Sequence, residues 1–160
     1  MGFALLIAAA LAATGWQFQT QADPLGHPIY VAASLPDPEK PQAFLRFSCG
    51  GIIGVELQYN LGKPAFEGSD FSTGEPQWED VSFTFPEGPY PTTSKRAPIT
   101  DGVGTFEIKG GDAMFIVKLF RSGGSVTIKQ GPQESAFSLE AAAGPINAVI
   151  DQCPFKYNDQ

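Results

Sequence analysis

Three residues of this chain carry the side chains most often used as nucleophiles or soft metal ligands: Cys49, Cys153 and His27. A catalytic thiol needs an imidazole beside it to take its proton, and a structural zinc site needs four Cys or His ligands. Two thiols and one imidazole cannot complete the second set. His27 lies between Gly26 and Pro28 in loop-forming sequence, with no Gly-x-Ser-x-Gly elbow elsewhere to complete a serine triad. The glycine-rich stretches GTFEIKGGD and RSGGSVTIKQG lack the phosphate-loop spacing and adjoin strand patterns, so they read as turns. Carboxylates remain: Glu79 and Asp80 beside Trp78 are the pair best placed in sequence to act as acid and base on a glycosidic bond. Neighbours on a strand point to opposite faces, however, so the two are not expected to address one bond. The sequence thus predicts no catalytic residue, no metal site and no cofactor.

Recognition is the better use of these residues. Tyr59, Trp78 and Tyr90 are amphipathic aromatics that offer rigid contact area, and with Glu79 and Asp80 they form the candidate binding surface. The chain carries 10 basic against 17 acidic residues, a net charge of −7, and its few cations are scattered. Gripping a phosphate backbone requires clustered Lys and Arg, so nucleic acid is excluded as the expected partner. From Lys63 to Lys95 no basic residue intervenes among Glu67, Asp70, Glu75, Glu79, Asp80 and Glu87, which reads as a solvated acidic face. The spacing of these acids is too irregular for a calcium loop.

The N-terminal run GFALLIAAALAATG is apolar over about a dozen residues, the length of a signal-peptide core and short of the ~20 needed to cross a bilayer as a helix. We expect a secretory signal over residues 1–22, cut after Ala22, with an earlier cut near Ala13 as the alternative. No Lys or Arg precedes the run, and a membrane span is expected only if the segment stays uncleaved. Export to the periplasm or beyond favours pairing of the two cysteines over two free thiols. The expected disulfide is Cys49–Cys153.

A single domain over residues 23–160 must position these features. Eighteen glycines, fourteen prolines and thirteen phenylalanines predict short strands joined by tight turns. A short edge strand is expected at 29–34. Alternation places Leu45, Phe47 and Cys49 on one face of the next strand, and Val55, Leu57 and Tyr59 on one face of its hairpin partner across the Gly50-Gly51 turn. Residues 61–80 read as a long loop, VSFTF as a strand, and PEGPYPTTSKRAP as a break. GTFEIK, AMFIVKLF, SVTIK and AFSLE read as four more strands, with AMFIVKLF, apolar on both faces, at the sheet centre. Period then changes: Ile146, Val149, Ile150 and Cys153 fall on one helical stripe. The expected fold is mainly β, an antiparallel β-sandwich with a short C-terminal helix tied to an early strand by the disulfide.

The layout LRFSC, a paired strand, Trp78, FIVKLF and the ending AFSLEAAAGPINAVIDQC, with Phe137, Leu139, Ile146, Val149 and Cys153, resembles small periplasmic proteins of Gram-negative bacteria, in particular the type VI secretion-associated TagO-like family. The resemblance spans about residues 28 to 153. It implies a β-sandwich with a terminal helix, no catalytic residues and an accessory role at the envelope. The expected function is therefore an exported, non-catalytic protein that binds an envelope protein or a peptidoglycan-related ligand. The alternatives are a small carboxylate-dependent hydrolase or an inhibitor of a lysozyme or protease.

Overall fold

The computed structural model describes residues 15–37, 39–40, 42–51, 53–62, 78–96 and 105–154. Residues 1–14 of the expected signal, and Glu67, Asp70 and Glu75 of the acidic run, lie outside the described residues.

Alternating apolar positions build nine strands: β1 Gln17–Ala22, β2 Pro28–Pro36, β3 Phe44–Gly50, β4 Gly54–Asn60, β5 Trp78–Phe85, β6 Gly88–Arg96, β7 Phe106–Lys109, β8 Ser125–Gln130 and β9 Gln133–Ser138. The described residues also form two helices, α1 Gly110–Phe120 and α2 Ala143–Gln152. All pairings are antiparallel, in the order β1-β2-β3-β4-β7-β6-β5-β8-β9. The expected hairpin is present: Cys49 faces Val55, Phe47 faces Leu57 and Leu45 faces Tyr59. Gly54, at φ +70°, supplies the left-handed step that closes its turn.

The sandwich is one continuous sheet coiled on itself. Four inter-strand steps separate β4 from β8, about 19 Å across a flat sheet. Yet the Tyr59 hydroxyl on β4 lies 2.7 Å from Gln130 Oε1 on β8. Only curling of the sheet, so that β2–β4 face β5, β8 and β9, allows that contact. Between the two halves lie Leu45, Phe47, Leu57, Tyr59, Phe83 and Ile128, all essentially inaccessible to water. Tyr59 stacks on Phe106 with ring centroids 5.5 Å apart and meets Phe83 edge-on at 5.7 Å.

Four sequence expectations need correction. AMFIVKLF is not a central strand but most of helix α1. Its buried residues, Ala113, Ile116, Val117 and Phe120, fall at i, i+3, i+4 and i+7, whereas Phe115 and Lys118 are exposed. A short run that is apolar on both strand faces fits a buried helix equally well, and Gly110 at φ +67° turns the chain out of β7 into it. PEGPYPTTSKRAP does not break the sheet, because Pro89 and Pro91 occupy the half of β6 that, among the described residues, pairs with β5 alone. There a missing N–H removes no second ladder. β2 is not an edge, since β1 pairs with it from Gln17 to Ala22. Tyr59 belongs to the core rather than to a surface.

Helix α2 follows the expected stripe: Ile146 and Val149 are buried, and Ile150 and Cys153 pack partly against the core. The disulfide Cys49–Cys153 joins β3 to the end of α2, with Cα atoms 5.5 Å apart. It closes a loop of 104 residues, for which the chain-entropy account gives up to about 4.7 kcal/mol. A ten-residue helix is marginal alone, so this tie and its apolar stripe hold α2 on β2 and β3.

Candidate functional site

Strand alternation separates the residues of the candidate surface. On β5, Glu79 shares the inner face with Val81, Phe83 and Phe85, while Trp78 and Asp80 point outward. Trp78 is 61% exposed. Tyr90 opposes Phe83 and stacks on Phe115 of α1 at 5.0 Å, far along the sheet from Trp78. Tyr59, Trp78, Glu79, Asp80 and Tyr90 therefore form no single surface, although Trp78 and Asp80 share one face.

Glu79 instead joins, with Arg96, the half-buried end of a polar chain whose inner members Tyr59, Ser94 and Gln130 are buried. Its Oε1 accepts hydrogen bonds from Arg96, the Nε donor at 2.6 Å, and its Oε2 accepts from Gln130 Nε2 at 2.8 Å. The Tyr59 hydroxyl has one proton to give, which goes to Gln130 Oε1, and it accepts from the Ser94 hydroxyl at 2.7 Å. Burial raises the Tyr59 pKa well above the ordinary tyrosine value; the Glu79 charge adds to this and the Ser94 bond opposes it. The phenol is thus a fixed neutral donor. With both carboxylate oxygens of Glu79 held by protein donors, the chain joins β4, β5, β6 and β8. Its members Ser94, Arg96 and Gln130 were missed in sequence. Gln130 was findable, because Val126, Ile128 and Gln130 alternate onto one inward face.

A second polar cluster lies on the other face of β4 and β7. Glu56 is almost wholly buried, with Gln58 Nε2 2.6 Å from its Oε1. Burial, a hydrogen bond to Glu107 and that residue's like charge raise the Glu56 pKa to about 7, against the smaller opposing effects of Gln58 and Lys109. Lys109 Nζ lies 3.5 Å from Glu107 Oε1. Among the described residues no group of three or more His, Cys, Asp or Glu is placed to hold a metal ion. No described helix is long and apolar enough to cross a membrane.

Two surface features had no sequence signal. One is an apolar tip where the β1–β2 and β3–β4 turns meet: Leu25, Ile29 and Ile53 are 81%, 51% and 43% exposed. The turns are joined by the Gly51 N–H donating to the Ile29 carbonyl, and Ile53 lies over Gly50 beside Tyr30. The other is an open cleft of about 330 Å³ at the opposite end, between Leu35, Pro36 and Asp37 of the β2 end and Ala136, Phe137 and Ser138 of β9.

No family model matches this chain, and no curated protein matches it. Among solved structures it is similar to the crystal structure of invasion associated protein B from Bartonella henselae, with a TM-score of 0.36 and 10% identity over 87% of this chain and 89% of that one. Likeness at that level carries no functional argument.

Proposed function

We propose that this is an exported, non-catalytic binding protein of the periplasm or cell exterior that docks another envelope protein through the Leu25, Ile29 and Ile53 tip. The single observation behind this reading is that three exposed aliphatic residues lie at the one end of the sheet where the β1–β2 and β3–β4 turns adjoin. Aliphatic groups without hydrogen-bond donors suit an apolar protein surface better than a glycan. The disulfide supports export, since such bonds persist in oxidising compartments. The accessory role implied by the TagO-like resemblance agrees with this reading.

Capture from periplasmic extract tests it. The wild-type chain retains a defined partner, and the triple variant Leu25→Ser, Ile29→Ser, Ile53→Ser loses that partner while keeping its fold. Retention of the same partner by the triple variant, or no partner at any salt concentration, rejects the reading.

A peptidoglycan-related ligand is the second reading, favoured by Trp78 and Asp80 on one exposed face of β5, an aromatic platform beside a carboxylate. Glycan-array binding lost in Trp78→Ala supports it over the tip. The hydrolase alternative requires turnover on glycan or peptide libraries that falls in Glu79→Gln or Asp80→Asn. The inhibitor alternative requires stoichiometric loss of lysozyme or protease activity.

A further inference from the structure

Among the described residues, β9 is the last strand in the sheet order. Within an antiparallel strand, the N–H and C=O of one residue point to the same side, and the side alternates along the chain. The Leu139 N–H donates to the Gly124 carbonyl at 2.9 Å, which sets Ser135, Phe137 and Leu139 toward β8. The Glu134 carbonyl instead accepts Lys40 Nζ at 3.0 Å from the outer side. Ala136 and Ser138 share the parity of Glu134, so their N–H and C=O groups face outward, into the cleft. Among the described residues no strand pairs with that edge.

The opposite wall is Leu35, Pro36 and Asp37, and the end is closed by Glu140 and Ala141. Ala141 has φ +59°, the single non-glycine residue with positive φ among the described residues. This conformation costs an L-residue roughly 1–2 kcal/mol. It completes the tight turn in which the Ala142 N–H donates to the Leu139 carbonyl. The charged side chains lining the cleft are Asp37 and Glu140, both acidic, whereas the nearby Lys40 ammonium is engaged by the Glu134 carbonyl and Ser135 Oγ.

We infer that the outer edge of β9 binds an extended peptide segment of a partner chain by strand addition at Ala136 and Ser138, with a Lys or Arg of the peptide between Asp37 and Glu140. A strand edge supplies main-chain hydrogen bonds to any extended peptide, and the flanking side chains select among them. Leu35 and Pro36 favour an aliphatic neighbour to the basic residue. A second copy of this chain is a poor occupant, because it brings acidic groups of its own to an acidic cleft. The inference rests on the reading of a binding protein only for the source of the peptide, since the tip and the cleft lie at opposite ends of β2.

The test is amide chemical-shift titration of the full exported chain, disulfide formed, with the blocked pentapeptide Thr-Val-Lys-Val-Thr. Saturable shifts centred on the Ala136 and Ser138 amides are expected. Replacing the peptide's Lys by Glu weakens binding roughly five-fold. N-methylating one alternate set of peptide amides abolishes binding, and methylating the other set leaves it. Ala136→Pro removes one outward N–H without touching the β8 ladder and abolishes binding; if that variant fails to fold, the two N-methylated peptides decide alone. Absence of saturable shifts at millimolar peptide, indifference to both methylation patterns, or dimerisation through β9 without peptide overturns the inference. Shifts confined to the Leu25 and Ile53 turns also overturn it while leaving the proposed docking tip intact.

Discussion

The hydroxyl of Tyr59 on β4 donates to Gln130 on β8 across the interior of a sheet in which β7, β6 and β5 run between them. That bond, continued through Gln130 to Glu79 and Arg96, is the polar seam of an otherwise aromatic and aliphatic core. Tyr59→Phe removes the phenol and leaves Gln130 and Ser94 each short of a partner inside the protein. The expected loss is about 1–3 kcal/mol of unfolding free energy, read from urea denaturation. In a double-mutant cycle with Gln130→Leu the two losses should be non-additive. Additive losses would mean that the bond does not couple the two halves.

Glu56 makes stability depend on pH in a particular direction. An unfolded glutamate releases its proton near pH 4.3, whereas folded Glu56 holds it to about 7. Folding therefore takes up a proton between these values, and stability falls as pH rises through 7. Facing Glu56 are Glu107 and Lys109 of β7, Gln58 of its own strand, and Ser48 and Arg46 of β3. Urea midpoints are expected to be higher at pH 5 than at pH 8, and Glu56→Gln should flatten that slope. Asp23 is held below the usual carboxylate range, first by the His27 backbone amide, and titrates outside this window. A midpoint that rises from pH 5 to pH 8 contradicts the assignment.

The disulfide yields a chemical prediction. Cys49 is wholly buried, and its partner sits at the end of a helix packed on the core. Alkylating reagents should label neither sulfur until the protein is both unfolded and reduced. Cys153→Ser should cost about 2–5 kcal/mol, with α2 the first element to lose amide-exchange protection. Rapid labelling of the native, unreduced protein would refute the pairing.

Strand β1 bears on processing. A signal peptide cut after Ala22 would remove Gln17–Ala22 and open the edge of β2, along with Trp16, whose ring lies 6.4 Å from that of Phe120. The cut near Ala13 keeps both. The pairing of β1 with β2 argues for the earlier cut over the one after Ala22, and intact-mass measurement of the mature protein is expected to show residues 16–22 retained. A mature chain that starts at Asp23 and remains folded would show β1 to be dispensable.

Much of the architecture was legible because period-two alternation is a local property. The β3–β4 hairpin, the inward Cys49 and the stripe on α2 follow from residues a few positions apart. Helix α1 was missed because an eight-residue run that is apolar throughout satisfies both periods, and length alone arbitrates between them. β6 was missed because proline signals a break unless one knows which neighbour is absent. The candidate surface dissolved for a related reason: Tyr59 and Trp78 are both aromatic residues near strand ends, but the curl of the sheet encloses one and leaves the other in solvent.

By itself, the sequence determined an antiparallel β chain, the pairing of two cysteines and a terminal amphipathic helix, since composition, cysteine count and short-range period carry those choices. Only the tertiary structure decided that one sheet folds over itself, that Tyr59 meets Gln130, that Leu25, Ile29 and Ile53 lie at one end of the sheet and that β9, among the described residues, ends the strand order beside two acids. Those relationships join residues distant in the chain, and strand order, which sets them, depends on packing that no local pattern records.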